Sequence, residues 1–532
     1  MPEAVATAVG VLTSSATAAA AAYAITQTVL INTALGVLQK SLTPNVRSSG
    51  GTVDNLPVNV TVRGTAEARR MIFGKRRAGG ASVFTGVSSS GGDTNDRLAS
   101  IIVLAGHQVN SIGDVWLDNV RIDNADINTT TDPGLVEGTG QFAGFVRILK
   151  HLGTSAQVVD SLLTTRHAEW TSTHVLSGCA YLYVSFGKGA GSEAAFPNGA
   201  PQNITAEVEG ALVYDPRLDS TNGGSGSHRR GDPATWAYSA NPALHVRHYL
   251  TGGSVVNDTH TPIKMFGLKE ADSRIDDAYT IAAANICDEV LTGAEATPDG
   301  DDIRYACNLE ASSDQTRRTI LNNILDSMAG TVIKPQDKWQ IFAGAYDAAA
   351  FSLTQDNLYN DIKVQDTETH SNRFNCVTAR FVDAAQQYSE ATTVPRTDSA
   401  YETQDGSEQL ATEFTLNGVT NRWQADRLAE IKLRKSRMMR RIVFPGALDI
   451  LKCSLNDVIL VSHSRYTWSG RVFRITDRQF EFDQDAGRVT LTCQREDSAV
   501  YADLLTADYQ SCLLYTSPSP RDGATSRMPS SA

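Results

Sequence analysis

Histidine and cysteine are the residues of this chain that could bind a metal ion or act as nucleophiles. The seven cysteines are scattered singly along the 532 residues, without a CxxC pair. This spacing fits neither a zinc site nor a disulfide framework, and it favours reduced, buried thiols. His151, His167 and His174 share one segment but lack the spacing of metal ligands. His107 stands alone at the end of a predicted strand, where we expect a structural hydrogen bond.

Phosphate binding, calcium binding and nucleophilic catalysis each require a pattern that the sequence lacks. Gly74-Lys75 has no upstream glycine at the spacing of a phosphate-binding loop, and Arg76 stands where Ser or Thr would bind magnesium. The carboxylates of residues 298–302 are not followed by the glutamate that closes a calcium-binding loop. No serine lies in a Gly-x-Ser-x-Gly elbow. We therefore expect a protein that is not an enzyme, with no catalytic, cofactor-binding or metal-binding residues.

The segment from Val419 to Arg441 predicts a helix with a high density of positive charge. Two interpretations are open: contact with DNA that passes through a channel, or a solvated or intersubunit face. In the second, Asp426, Glu430 and Arg434 are spaced for i,i+4 ion pairs. The net charge of −12 favours the second, because binding to a nucleic acid backbone depends on accumulated positive charge. The cations are Arg427, Lys432, Arg434, Lys435, Arg437, Arg440 and Arg441.

Alternating apolar residues predict two strands in the middle of the chain. In residues 178–186, Ala180, Leu182 and Val184 point to one side, and the intervening tyrosines point to the other. Residues 204–214 alternate in the same way. The glycines and prolines between these runs predict rigid turns that join the two strands.

Other runs predict further strands. Residues 58–62 alternate, and the continuous apolar run 101–105 indicates a strand that is buried on both faces. Near the C-terminus, Asp483 and Asp485 lie in a predicted hairpin turn. We expect them to accept hydrogen bonds within the turn rather than to bind calcium.

Helices are predicted by capping residues and by the helical period. Asn241 and Pro242 suit the cap and first turn of one helix, and residues 275–290 have the period of another. Ser312 and Gln315 predict a capping box before a third helix. The apolar stripe of that third helix is Ile320, Leu321, Ile324, Leu325 and Met328.

The two ends of the chain differ from the rest. No charged residue occurs between Glu3 and Lys40, and a signal peptide is disfavoured because no basic residue precedes the apolar run. The segment is long enough to span a membrane, but its polar residues favour an alanine-rich helix packed against other subunits. From Cys512 onward the sequence resembles translated adaptor sequence. We therefore expect a non-native tail on a C-terminally truncated chain.

Several short motifs follow one another in a fixed order. They are Ile72-Phe73-Gly74 with Arg77-Ala78-Gly79-Gly80, then Tyr214-Asp215-Pro216-Arg217, and then Gln424-Ala425-Asp426-Arg427-Leu428-Ala429. The ordered set resembles the J-like family of siphophage tail tip attachment proteins, which are baseplate or tail hub proteins.

This resemblance implies a β-rich α+β multidomain fold, in which small β-barrel-like hub domains carry helical insertions. It implies a structural virion protein of the tail tip, made in the cytoplasm of a bacterial host, which ends the tail tube and carries the host-attachment fibre. The implied partners are copies of the chain in a homotrimer, other tail proteins, DNA in transient passage, and a host receptor bound through a missing C-terminal region. No cofactor and no stable membrane anchoring are expected.

Composition and motifs divide the chain into five ranges. These are an apolar helical segment (1–45), a first hub β domain (46–235) with an insertion (124–176), an α+β hub domain (236–360), a C-terminal hub β-barrel (361–510) with the basic helix (419–441), and the adaptor-like tail (511–532).

Two other functions remain open from sequence. One is a membrane-anchored adhesin that uses residues 4–39. The other is a secreted β-rich glycoside hydrolase, in which two loop carboxylates act as a pair. A cleft that holds two facing acids would favour the hydrolase.

Overall fold

The computed structural model describes residues 61, 67–90, 93–253, 255–256, 262–263, 266–366, 373–482 and 487–509. The chain divides into two compact units, Met1–Val53 and Asp54–Ala532, and every described residue belongs to the second. Some predictions therefore lie outside the described residues: the apolar segment 1–45, the strand 58–62 except for Thr61, Asp483 and Asp485, and the tail 511–532.

Strands dominate the described part of the chain. In chain order they are β1 (Arg70–Phe73), β2 (Lys75–Gly79), β3 (Ala81–Ser90), β4 (Asp93–Ala105), β5 (Val109–Leu117), β6 (Val120–Ile122), β7 (Val146–Leu152), β8 (Ala180–Gly187), β9 (Ile204–Val213), β10 (Ala237–Tyr238), β11 (Val255–Val256), β12 (Pro262–Ile263), β13 (Val290–Leu291), β14 (Asp302–Ile303), β15 (Leu309–Ser312), β16 (Thr331–Ile333), β17 (Gln340–Phe342), β18 (Phe351–Leu353), β19 (Lys363–Gln365), β20 (Cys376–Asp383), β21 (Ser389–Thr392), β22 (Arg396–Thr397), β23 (Ala411–Thr415), β24 (Arg441–Gly446), β25 (Val458–His463), β26 (Trp468–Phe482) and β27 (Gly487–Arg495).

Helices are fewer and short. They are α1 (Ser161–Arg166), α2 (Ser192–Ala195), α3 (Pro242–Thr251), α4 (Asp277–Cys287), α5 (Arg317–Asp326), α6 (Ser399–Gln404) and α7 (Arg422–Lys435). None of the helices in the described ranges is both long and apolar enough to cross a bilayer.

Two sheets share a core in the first part of the described chain. One has the order β3-β4-β8-β7, and the other has the order β10-β9-β5-β6, with β2 also paired to β9. The predicted strands 178–186 and 204–214 are confirmed as β8 and β9. They lie in different sheets and do not pair with each other. β8 lies between β4 and β7, and β9 lies between β5 and β2.

The two faces of β8 are buried in different surroundings. Leu182 and Val184 belong to the core between the sheets, whereas Tyr181 and Tyr183 pack beside Trp170 on the outer face. This confirms the predicted alternation of apolar and aromatic residues. Because Trp170 comes from the predicted insertion, that segment covers a face of the sheet that would otherwise meet water.

A second core surrounds α3, which is buried along its whole length. Asn241 caps α3 by accepting hydrogen bonds from Ala243 N and Leu244 N, and Pro242 opens its first turn, as predicted. The helix predicted at 275–290 is confirmed as α4. This core also takes side chains from β1, β20 and α7, and so it draws on all three predicted hub ranges. The boundaries of those ranges remain predictions.

The predicted stripe of α5 is buried, as expected for a helix packed on a core. Its predicted cap is wrong. Thr316 caps α5 by accepting a hydrogen bond from Thr319 N. The Gln315 side chain instead accepts from Ser312 N, in a turn that precedes the helix. Ser, Thr and Gln favour turns and caps for the same reason, so their spacing did not identify the first helical residue.

The C-terminal part contains two further sheets. One has the order β18-β25-β26-β27-β24-β19 and encloses its own apolar core. The other has the order β21-β20-β22 with β23 paired to β20, and α7 packs against β20. The β-rich α+β fold class is confirmed. The expectation of barrel-like domains needs one correction, because none of the sheets formed by the described residues closes on itself.

Replacing Gly210 with alanine tests the contact between β9 and β1. A Cβ atom at Gly210 would lie 2.1 Å from the carbonyl oxygen of Ile72, which is backbone and cannot turn aside. We expect Gly210→Ala to lower the free energy of unfolding by about 3 kcal/mol, measured by chemical denaturation. Gly231→Ala is the control, since no atom lies within 4 Å of its added Cβ. Equal stabilities of the two variants would contradict this packing.

Candidate assembly surface

The motif around Gly74 joins the two cores. Gly74 has a φ of 63°, which lets the chain leave β1, paired with β15, and enter β2, paired with β9. A Cβ at Gly74 would lie 2.1 Å from the carbonyl oxygen of Cys307, so only glycine fits. Gly74-Lys75 is therefore the junction of two strands.

Arg76 lies at this junction with no exposed surface. Its Nη1 donates to the carbonyl oxygens of Asn308 (3.0 Å) and Asn417 (2.8 Å). Its Nε and Nη2 have no hydrogen-bond partner among the described residues. Burial lowers the pKa of this guanidinium. The hydrogen bonds of Arg76 thus connect β2 to the segments that precede β15 and α7.

Arg77 has a similar structural role on the opposite side of β2. Its Nε donates to Thr205 Oγ1 (2.8 Å) and its Nη2 to Asn119 Oδ1 (2.9 Å). The guanidinium carbon lies 4.7 Å from the centre of the Trp116 ring, within the range of a cation–π contact. A third hydrogen bond reaches the carbonyl oxygen of Gln387.

His107 makes the structural hydrogen bond that its position predicts. Its Nε2 accepts from Ile72 N (3.0 Å), so the ring proton on Nδ1 is donated to the carbonyl oxygen of Gln108 (2.6 Å). Two further buried histidines flank Phe73, with ring centres 4.9 Å (His245) and 6.0 Å (His248) away. Burial lowers the pKa of His107 and of His245 to about 4, and that of His248 to about 3.

The Tyr214–Arg217 motif forms a compact polar cluster. Asp215 accepts hydrogen bonds from the backbone N, Nε and Nη2 of Arg217. Arg217 also reaches Asp288 at 2.8 Å, which ties the end of β9 to α4. The Tyr214 hydroxyl donates to Asp219 (2.8 Å). Each charged group of the motif is therefore used to stabilise the fold.

Several cations of the basic helix α7 and of the residues after it contact the protein itself. Arg427 is buried and donates to Asp302 and to two backbone carbonyls. Arg437, beyond the end of α7, forms a two-pronged contact with Asp405. Lys432 lies 3.9 Å from the centre of the Phe414 ring. These contacts use part of the positive charge of the segment, whereas Lys435 and Arg441 are exposed, so both interpretations of the segment stay predictions.

The predicted i,i+4 ion pairs of α7 are confirmed in part. Glu430 pairs with Arg434 at 2.9 Å, as expected. Asp426 instead lies 2.8 Å from Arg396, with both side chains buried. Arg440 pairs with Asp366. A pattern of charges four residues apart cannot reveal which of them meets a partner from another strand.

The remaining candidate residues are dispersed. His151 pairs with Asp160, His167 is buried beside Phe84, and His174 contacts Trp170. Within the described ranges no group of three or more His, Cys, Asp or Glu side chains could hold a metal ion. Six cysteines are described and all are free thiols; five are buried, and Cys179 is half-buried.

The carboxylates of residues 298–302 are not grouped around a common point. Asp299 accepts from the Trp423 indole (2.8 Å) and from Arg422, and Asp302 accepts from Asn421 and Arg427. The indole hydrogen bond is the main reason that the pKa of Asp299 is lowered. These acids position the start of α7.

The strand β3 offers a surface for contact with another chain. Among the described residues it pairs only with β4, and it lies at the edge of its sheet. Val83 is 52% exposed and Val87 is 56% exposed, and Thr85 between them is also exposed. The pairing of β3 with β4 shifts register between Ser82 and Phe84 and again between Ser88 and Ser90, and it is regular between these two irregularities. An edge strand with exposed β-branched residues is a template for pairing with another strand.

Sequence reasoning missed this surface, although a signal was present. Val83, Thr85 and Val87 alternate directly after Gly79-Gly80, which predicts a strand with one uncovered β-branched face.

A cavity of about 390 Å³ lies between the β16–β17 hairpin, the end of α7 and the C-terminal sheet. Its lining includes one carboxylate, Glu496, which accepts a hydrogen bond from Arg474 Nε at 2.6 Å. A glycoside hydrolase requires two facing acids, so this cavity does not supply the arrangement that the hydrolase hypothesis predicts.

No protein family model matches the chain. The baseplate hub protein pb3 of Escherichia phage T5 is 24% identical over 181 residues, which are 34% of this chain and 18% of pb3. The chain therefore aligns with only a minor part of that relative's length. The relative supports the resemblance to baseplate hub proteins, while the narrower J-like assignment stays a prediction.

Among solved structures, a chain of the virion of a native gene transfer agent particle has a TM-score of 0.54 at 16% identity, with 86% of this chain and 91% of that chain covered. A 43 kDa tail protein of prophage MuSo2 from Shewanella oneidensis has a TM-score of 0.30 at 9% identity, with 82% and 100% covered. The first comparison shows that this chain shares the fold of a chain from a virion.

The buried histidines predict that stability falls in mild acid. Their folded pKa values lie below the value of about 6.5 expected for the unfolded chain. The stabilisation is therefore complete above pH 6.5 and is lost as the pH falls towards 4, by up to about 1.4 kcal/mol per pH unit for each histidine. The three histidines together give the free energy of unfolding a positive slope against pH in this range. The substitution His245→Gln removes one of them and should reduce that slope by roughly a third. The exposed His174→Gln is the control, and identical slopes in both variants would contradict the prediction.

The pair of Arg437 and Asp405 predicts a large loss of stability when one partner is removed. Both side chains are buried, with Asp405 only 1% exposed. Arg437→Gln should lower the free energy of unfolding by about 3 kcal/mol, because it leaves the buried carboxylate with only Asn375 and the more distant cation of Arg373, at 3.7 Å. Arg465→Gln, at the exposed pair with Asp361, should cost less than about 1 kcal/mol. Similar losses in chemical denaturation would show that the Arg437 pair is effectively solvated.

Proposed function

We propose that this chain is a structural subunit of a phage tail, and more specifically a hub protein of the tail tip or baseplate. In this proposal three copies close a ring at the end of the tail tube, the ring carries the host-attachment fibre, and DNA passes through it. The protein is made in the cytoplasm of the bacterial host and resides in the virion. It acts mechanically, through contacts with its own copies and with other tail proteins, and catalyses no reaction.

The observation that carries this proposal is the fold match to a chain of the gene transfer agent virion, which extends over 86% of the chain. The local similarity to a baseplate hub protein points to the same assembly. The contacts made by the charged residues of the sequence motifs also support the proposal. Arg76, Arg217 and Arg427 are all directed into the fold, as expected of a framework rather than of a reactive site.

A ring requires a surface through which one copy meets the next. The edge of β3 suits this purpose because its backbone groups face away from the sheet and its exposed valines can be covered by a neighbouring strand. We assign the contact between copies to β3. No observation favours the adhesin or the hydrolase in the same way.

Light scattering of the full chain after size-exclusion chromatography tests the proposal. A mass of three times 57.2 kDa is expected, with dissociation on dilution. The double substitution Val83→Lys with Val87→Lys should give monomers, since lysine on an edge strand opposes pairing. Val158→Lys alters an even more exposed valine elsewhere, at 74% exposure, and should leave the mass unchanged. A monomer at every concentration, or a trimer that the β3 substitutions do not affect, would overturn this assignment.

A further inference from the structure

The cavity beside the end of α7 is built from three separate parts of the chain. The β16–β17 hairpin contributes Ile333 and Phe342, the residues after α7 contribute Met438, and the C-terminal sheet contributes Ile475. These side chains form an apolar wall. A volume of about 390 Å³ lies within the range of sites that bind small groups or single side chains.

The polar wall of the cavity is rich in donors. Arg474 is nearly buried, and its Nε donates a hydrogen bond to Glu496. Its Nη1 donates to Asp347 (2.8 Å) and to the carbonyl oxygen of Asn456 (3.2 Å). Its Nη2 is buried without a hydrogen-bond partner in the described part of the chain. The same is true of Nδ2 of Asn456. Both unsatisfied atoms are donors, so an added partner would have to be an acceptor.

Lys435 adds a positive charge at the same wall. Its ammonium lies 5.2 Å from the centre of the Tyr501 ring, and no carboxylate of the described residues pairs with it. The side chain of Lys435 is exposed, and its pKa is lowered, mainly by desolvation and further by Arg474, while Glu496 acts in the opposite direction. Arg495, also in the lining, has one ion pair within the described ranges, a long contact of 3.8 Å with Asp497. A negatively charged group would improve the surroundings of both cations.

We propose that this cavity binds the carboxylate of an acidic side chain from a neighbouring polypeptide. The carboxylate would accept from Lys435 and Arg495 and from the unsatisfied donors of Arg474 and Asn456, after small movements of their side chains. The apolar wall formed by Phe342 and Met438 would contact the peptide that carries the acid. A phosphate backbone fits less well, because a small cavity with one apolar wall and a resident glutamate does not follow an extended, uniformly charged strand.

The inference extends the proposed hub function by giving the protein a second contact with a partner. Its test measures binding to the isolated chain, whereas the hub proposal is tested by ring formation, so that either can fail without the other. The probes are fluorescein-labelled tetraglutamate and tetraglutamine peptides, both capped at their ends, with hexathymidylate as the nucleic acid probe. Binding is measured by fluorescence anisotropy at low ionic strength.

Tetraglutamate should bind the parent chain more tightly than tetraglutamine and hexathymidylate do. Lys435→Gln should weaken it about tenfold, as for the loss of one charged hydrogen bond. Asn456→Gly should also weaken it, and should preserve the fold, because Asn456 already has a φ of 68°. Arg471→Gln removes an exposed cation of β26 outside the cavity and is the control.

Three results would overturn the inference. They are no binding of tetraglutamate, equal binding of tetraglutamine or hexathymidylate, and equal weakening by Arg471→Gln and Lys435→Gln. The last result would mean that the peptide responds only to the overall charge of the sheet.

Discussion

The burial of the Arg76 guanidinium is the constraint on which the rest of the structure depends. Removing such a group from water costs several kcal/mol unless hydrogen bonds replace its hydration. The carbonyl oxygens of Asn308 and Asn417 replace part of that hydration, at Nη1, and they lie more than 200 residues away in the chain. The fold must therefore bring three segments to one point. Gly74 makes this possible, since a side chain there would collide with the carbonyl of Cys307.

The same principle governs the other charged motifs. Arg217 joins β9 to α4, Arg427 joins α7 to Asp302 beside β14, and Arg437 holds the buried Asp405. Each is an ion pair or hydrogen bond between elements that are distant in sequence. The more deeply buried of them, those of Arg427 and Arg437, fix relative positions more than they add net stability. Such contacts hold distant segments of the described chain together, which suits the structural role that we propose.

Local features of the fold could be predicted from sequence, and long-range pairing could not. Alternation identified β8 and both of its faces, and the Asn241 cap located α3. The separation of β8 and β9 into two sheets was missed, because strand partners are chosen by the whole core and leave no local pattern. The partners of Arg427 and Arg437 were missed for a related reason: charge density reveals that cations are present, but Asp302 and Asp405 lie on other segments. A sheet closes into a barrel only when its two edge strands pair with each other, and the sequence does not specify that pairing.

The surface that we assign to the contact between copies is the open edge of β3 with its exposed valines. Electron cryomicroscopy of the full chain at high protein concentration is the most direct test of whether that edge joins copies. A closed ring of three subunits, in which a strand of each neighbour lies along β3, is expected. A particle in which β3 faces solvent while α7 or another element forms the contact would contradict the central claim.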